Sequence, residues 1–319
     1  MVTATHLPIE ERLLQLLQHL GIERAHFAAR HSDDWQGLAT LHPERIASLT
    51  LVCPSWAVGL DPTTLHSFSS RLLVFTGDQG PLAERVGQAL ASLPEATLIT
   101  LRDYSNLFWT DVIADRTDEI GSALLDFLTH LDQPQGVRAL SLAEGEGEVA
   151  GITYQIQGSG PPLVLLPLLI APSQWEPLLP TLSQQYCTIT LGGAELGSAA
   201  VLEARGRAPG YLRMVRTLMD EILLQPGATI LDVGCGTGAL DRWLARRTGG
   251  TNPILTVDIS RYLLREATAL ARKEGLAGTI EFREGSVETL PFPDQHVEVT
   301  LSVTVMEEVN ADRMLAEMV

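Results

Sequence analysis

The sequence predicts an α/β protein built from two units. Three observations predict it. Apolar runs of strand length alternate with stretches of helical spacing along most of the chain. One run, Thr229-Ile230-Leu231-Asp232-Val233, passes straight into the glycine-rich turn Gly234-Cys235-Gly236-Thr237-Gly238, and a helical pattern begins at Ala239. The length of 319 residues fits two domains, and an apolar content of 45% is ample for their cores.

In order along the chain, residues 13–20 have helical spacing and stop at Gly21, and 22–29 lead into a strand. Strands follow at 48–52, 71–76 and 96–101, and a helix over 120–131 closes this stretch. The segment 141–149, Ser-Leu-Ala-Glu-Gly-Glu-Gly-Glu-Val, is acidic and glycine-rich and reads as a flexible linker. Residues 150–166 read as strands, 173–180 as a helix and 186–191 as a strand. A second linker is expected at 196–210. Tyr211, Met214, Val215, Leu218, Met219, Ile222 and Leu223 then fall on one helical face, ended by Pro226-Gly227. Four strands are expected after it, at 229–233, 254–258, 279–283 and 298–305, with helices between the first three and a loop before the fourth.

The turn at 234–238 carries the chemistry. Glycines at alternate positions permit positive φ and leave no Cβ between backbone and ligand. A small molecule can then lie on bare main chain at the carboxyl end of a strand, where open α/β sheets bind ligands. The next strand ends in Asp258, twenty residues past Gly238, and an acid there suits two vicinal ribose hydroxyls. The spacing is not the Gly-x-Gly-x-x-Gly of dinucleotide binders, and no Gly-Lys-Ser/Thr follows for a phosphate loop.

With Thr256-Val257-Asp258-Ile259-Ser260, the run from Gly285-Ser286-Val287-Glu288 to Leu290-Pro291-Phe292-Pro293-Asp294, and Arg313-Met314-Leu315-Ala316-Glu317-Met318, residues 211–319 resemble class I S-adenosylmethionine-dependent methyltransferases of the small-molecule type. The resemblance implies a Rossmann-like fold, S-adenosyl-L-methionine as cofactor and a small-molecule acceptor. It assigns cofactor contacts to Asp232, Gly234, Cys235, Gly236, Gly238, Asp258, Ile259, Ser286 and Val287. Asp232 would help position the ammonium group, Asp258 would accept from both ribose hydroxyls, and Val287 would face the adenine. Ser286 departs from the family, which usually has an acid there to bond the adenine amino group. Cys235 reads as structural, and Ser260 as the N-cap of the next helix. Glu307 and Glu308 are the weak catalytic candidates; acids starting a helix are the alternative. Methyl transfer from a sulfonium needs orientation and exclusion of water more than a general base.

The family has three further strands beyond the fourth, so a partial domain is expected here. Its fourth strand would lie at an edge until a missing C-terminal segment or a partner chain completed the sheet.

Residues 1–133 resemble the later half of α/β-hydrolases, with His42-Pro43-Glu44-Arg45 typical of that family, and 150–195 resemble its opening half. The halves run in reversed order. A circularly permuted single domain and pieces of two domains both fit, with 1–195 as the unit. The catalytic positions are degenerate. The nucleophile elbow, Gly-x-Ser-x-Gly in the family, reads Arg30-His31-Ser32-Asp33-Asp34. The family acid falls at Gly80 and its histidine at Asn106; His31 and Asp78 have no spacing that places them as substitutes. Pro167-Leu168 stands where His-Gly opens the oxyanion-hole loop, and proline cannot donate an N–H.

Bulk properties exclude further classes. A net charge of −17 repels polyanions, so no nucleic-acid partner is expected. No apolar run is long enough to span a bilayer, and no signal peptide opens the chain. Three widely spaced cysteines predict a reducing, cytoplasmic compartment with neither disulfide nor zinc site, and the eight histidines show no metal spacing. Arg242, Arg246 and Arg247 are read as complementing a helix C-terminal dipole. Three functions stand: a methyltransferase, turning over or inactive as a fragment; a non-catalytic cofactor-binding or interaction protein; and a serine esterase acting through Ser32.

Overall fold

The computed structural model describes residues 7–30, 34–54, 62–105, 111–131, 137–169, 172–193, 196–306 and 309–319. They fall into two compact units, 1–197 and 198–319.

The first unit contains one eight-stranded sheet. Its strands are β1 (Ala25–Ala29), β2 (Ile46–Val52), β3 (Leu72–Gln79), β4 (Thr97–Ser105), β5 (Gly145–Val149), β6 (Ile152–Gln157), β7 (Pro162–Leu165) and β8 (Cys187–Gly192). Their order across the sheet is β4-β3-β2-β1-β7-β8-β6-β5. Pairing is parallel from β4 to β8 and antiparallel from β8 to β5. β1 and β2 are buried along their whole length, which is why they read as near-continuous apolar runs. Alternate residues feed two cores: Phe27 and Val74 enter one, Ala28 and Phe75 the other.

One expectation fails here. The acidic segment 141–149 is not simply a flexible linker, because Gly145–Val149 pairs with Ile152–Gln157 as a hairpin strand. Glutamates on an edge strand satisfy the pairing while leaving a charged, poorly adhesive edge. Gly147 admits this pairing because a Cβ there would fall 2.3 Å from the Tyr154 hydroxyl oxygen.

The second unit holds a four-stranded parallel sheet, ordered β11-β10-β9-β12. Its strands are β9 (Ile230–Val233), β10 (Ile254–Asp258), β11 (Ile280–Glu284) and β12 (Val299–Leu301). The helices Ala239–Arg247 and Arg261–Lys273 make the crossovers, and Ser260 caps the second by accepting from the Leu263 N–H at 3.3 Å. The strand predicted over 298–305 is only three residues long. Pairing stops at Leu301, and Thr304, with φ +63°, has a left-handed conformation that an extended strand to 305 would not allow. β12 lies at one edge of this sheet, as expected of the fourth strand.

The linker predicted at 196–210 is instead a helix, Gly197–Arg207, followed directly by Pro209–Glu221 with proline in its first turn. That second helix ends at Glu221, ahead of the Pro226-Gly227 stop.

Candidate active site

β9 positions the site. Leu231 and Val233 enter the core cluster with Val257 and Met314, while Ile230 packs on the opposite face. Alternation therefore places Asp232 on the Ile230 face, under the helices. Asp232 is 2% exposed and lines a cleft above the glycine turn, together with Leu202, Tyr211, Gly234 and Val303.

The turn takes the conformation that the glycines allow, with φ +87°, +56° and +69° at Gly234, Gly236 and Gly238. A Cβ at Gly234 would fall 2.4 Å from Val305 Cγ2, and one at Gly238 would fall 2.9 Å from the Phe282 ring. At Gly236 a Cβ would meet only the flexible end of Leu202, at 3.3 Å. The Gly234 and Cys235 N–H groups donate to the Val257 carbonyl at 2.7 and 3.2 Å, fastening the turn to β10.

Asp258, at the end of β10, bridges turn and helix. Its Oδ2 accepts from the Gly236 N–H at 2.8 Å and its Oδ1 from the Ser260 N–H at 2.8 Å. Burial raises its pKa, and these two bonds oppose the rise. Each oxygen keeps a lone pair for a further donor. Ile259, alongside, is 73% exposed.

The other expected contacts are less open. The Ser286 hydroxyl accepts from the Glu288 N–H at 3.2 Å, and Val287 is buried in the core with Leu231 and Met314. The Cys235 thiol is also buried, and burial followed by Asp241 and Asp258 pushes its pKa well up, so it is no thiolate nucleophile. Glu307 and Glu308 lie outside the described residues, as do His31, Ser32 and Asn106.

Several residues of the site carried no sequence signal. Glu203, in the unexpected helix, accepts from the Thr237 hydroxyl at 2.8 Å and from Arg242 at 2.6 Å. Arg242 is 3% exposed; it donates to the Thr237 carbonyl at 2.6 Å and to Glu274 at 3.1 Å. This corrects the reading of Arg242 as a dipole complement, since it ties the glycine turn to two acids; Arg246 and Arg247 do stand in the helix's last turn, where Arg246 also pairs with Glu274. Asp241 is fully buried, and neither of its oxygens meets a hydrogen-bond donor of another residue.

In the first unit, the residues flanking the expected elbow serve the fold. Arg30 is buried and donates to the Cys53 carbonyl at 3.0 Å, and Asp34 accepts from the Gly197 N–H at 3.3 Å. Gly80 has no carboxylate to offer. Asp78 accepts from the Asp103 and Tyr104 N–H groups at 3.0 and 3.2 Å, which commits it to that loop. Among the described residues no cluster of metal-ligating side chains forms, and no helix is long and apolar enough to cross a membrane.

The carboxylates of the second unit are acceptors of the kind that a cation and a vicinal diol require. Asp232 lines the cleft, where its carboxylate favours a cation. Asp258 offers paired acceptors for a vicinal diol, and bare glycine backbone lies between the two.

A family model described as a methyltransferase domain matches residues 230–319. The ubiquinone/menaquinone biosynthesis C-methyltransferase UbiE of Shewanella pealeana is 30% identical over 95 residues, 30% of this chain and 38% of that protein. Its counterpart from Ectopseudomonas mendocina is 36% identical over 76 residues, 24% of this chain and 30% of that one. This chain thus spans well under half the length of those curated relatives. Among solved structures, the [4+2]-cyclase SpnF is 28% identical, covering 35% of this chain and 42% of that one with a TM-score of 0.32. Geranyl diphosphate C-methyltransferase from Streptomyces coelicolor is 20% identical, covering 33% and 39% with a TM-score of 0.31.

Proposed function

We propose that this chain, whose residues 230–319 form a class I S-adenosylmethionine-dependent methyltransferase domain, binds S-adenosylmethionine at the 234–238 turn and serves methyl transfer to a small-molecule acceptor. The observation that carries the reading is Asp258. Its two oxygens already hold the turn and the next helix, and their remaining lone pairs are set for two neighbouring hydroxyls.

When bound, the cofactor supplies a methyl group made electrophilic by its sulfonium charge. The chain's own part is positional. Asp258 fixes the nucleoside, the glycine turn lets the ligand approach the backbone, and Asp232 faces its cationic end. Leu202, Tyr211 and Val303 line the cleft beside Asp232, and with the ligand seated their side chains would keep water from that end of it.

Calorimetric titration with S-adenosylmethionine tests the assignment. Saturable binding is expected, weakened on the order of a hundredfold or more in Asp258→Ala, since two hydrogen bonds to a charged acceptor are lost. Unchanged binding in the variant would sink it.

A second reading is cofactor binding without turnover. It is favoured by Ser286, whose hydroxyl serves its own turn rather than standing as a free acid for the adenine amino group.

For the first unit we infer a circularly permuted α/β-hydrolase-like domain rather than pieces of two. Counted from β5, the strands cross the single sheet as β5, β6, β8, β7, β1, β2, β3, β4, a nearly sequential walk with one exchange. Joining the old ends is feasible because domain termini often lie close together. Esterase activity is not part of this proposal, since Gly80 lacks a carboxylate and Arg30 is locked on Cys53.

A further inference from the structure

Asp232 and Asp241 bury two carboxyl groups against each other under the glycine turn. Asp232 lies on β9 and Asp241 in the first turn of the helix Ala239–Arg247. They are 2% and 0% exposed. Oδ1 of Asp232 and both oxygens of Asp241 meet no donor of another residue; besides Asp241's own backbone N–H, the hydrogen bond open to them is with each other, through a shared proton.

Two ionised carboxylates cannot stand together in so dry a place without a cation. Two cations stand near without forming an ion pair with them: the Arg242 guanidinium favours ionised Asp241 but does not offset burial, and Arg205 lines the cleft beside Asp232 with its guanidinium 5.5 Å from the centre of the Tyr211 ring. Asp258 at the end of β10 adds negative charge, and the Cys235 thiol in the turn and the Tyr211 phenol from the helix Pro209–Glu221 are neutral groups with raised pKa values. Arg242, next to Asp241, is hydrogen-bonded to Glu203, Glu274 and the Thr237 carbonyl. Asp232 lines the cleft and Asp241 does not, so what enters the cleft meets the pair through Asp232.

We propose that Asp241 is a positioning residue for the cofactor: it shares a proton with Asp232 in the free protein, and the pair releases that proton when the ammonium group of the ligand's amino-acid end is seated. The proposal rests on the cofactor reading above and adds a role for Asp241. The balance is simple. The free pair carries one negative charge; the ligand brings an ammonium cation; the bound pair carries two negative charges, and one proton leaves to buffer. The raised pKa of both carboxyls, with burial its largest cause, agrees with a proton held in the free state.

The test is titration of the full chain with S-adenosylhomocysteine, which keeps the ammonium, in two buffers of different ionisation enthalpy near pH 6. About one proton released per ligand is expected, with affinity rising up to about tenfold per pH unit below pH 7. Asp241→Asn is expected to abolish the release and flatten that dependence, because its amide gives Asp232 a permanent donor. Methylthioadenosine, which keeps ribose and adenine but lacks the ammonium, should bind without releasing a proton. Wild-type binding with no proton release overturns the proposal. So does equal release in Asp241→Asn, or release on binding methylthioadenosine. The wild-type buffer pair decides the matter even if the variant fails to fold. Absence of any saturable binding in wild type would instead strike the cofactor reading, and this proposal with it.

Discussion

Arg242→Met is expected to destabilise the second unit severely. The guanidinium is 3% exposed and makes three bonds, to the Thr237 carbonyl at 2.6 Å, Glu203 at 2.6 Å and Glu274 at 3.1 Å. Methionine fills much of the stem's volume and removes all three. The Glu203 carboxylate, 6% exposed, is left with the Thr237 hydroxyl in place of a cation. Breaking a buried ion pair from one side costs about 3–5 kcal/mol. Glu274 is partly solvated and adds little to that. Against a typical domain stability of about 5–15 kcal/mol, the loss is large. Hydrogen exchange of the Ile230–Val233 amides reports this unit separately from the first. Exchange should accelerate by on the order of a hundredfold or more if these amides open by global unfolding. The double variant Glu203→Gln with Arg242→Met should recover about 1–2 kcal/mol, because no buried charge is then left alone. A loss under about 0.5 kcal/mol for Arg242→Met, the range of ordinary surface changes, would refute the reasoning.

Other predictions are more local. Gly234→Ala puts a Cβ 2.4 Å from the β-branched Val305 at φ +87°, so a loss of about 2–4 kcal/mol is expected in thermal melts; an unchanged melting temperature would contradict it. Stability of the second unit should fall as pH rises. Burial lifts the folded-state pKa of Asp241 from 3.8 to about 7, so between those values the folded chain holds more protons than the unfolded one. The slope is at most about 1.4 kcal/mol per pH unit for each proton and levels off above pH 7. Asp258, also raised, acts in the same direction, while Asp232 shares its proton with Asp241 and is not counted a second time. Urea midpoints from pH 5 to pH 8 should therefore decline, and less steeply in Asp241→Asn; identical slopes would remove Asp241 from the account.

Local pattern made most of the scaffold legible. The glycine turn, Asp258 at a strand end and the Ser260 cap each depend on neighbours in sequence, and each is where the pattern puts it. Central strands such as Ile46–Val52 were readable because burial on both faces demands an unbroken apolar run. The misses share a different cause. Gly197–Arg207 has little helical patterning, with Glu203 buried among residues such as Val201 and Arg205 that face outward. Its helix is fixed by a partner, Arg242, far along the chain. Gly145–Val149 has the composition of a linker and becomes a strand only through pairing with Ile152–Gln157. The strand over 298–305 looked long because Val303 and Val305 are apolar; both instead pack against the cores beyond the strand end at Leu301. Asp241 looked like an ordinary acid in a first helical turn, and only tertiary packing buries it against Asp232.

The central claim is that the turn at 234–238 with Asp258 forms a nucleoside site. A crystal structure with S-adenosylhomocysteine at saturating concentration tests it most directly. Both ribose hydroxyls should donate to Asp258, with the amino-acid end over the glycine turn and its ammonium facing Asp232. A ligand bound elsewhere, or ribose hydroxyls held by another residue, would contradict it.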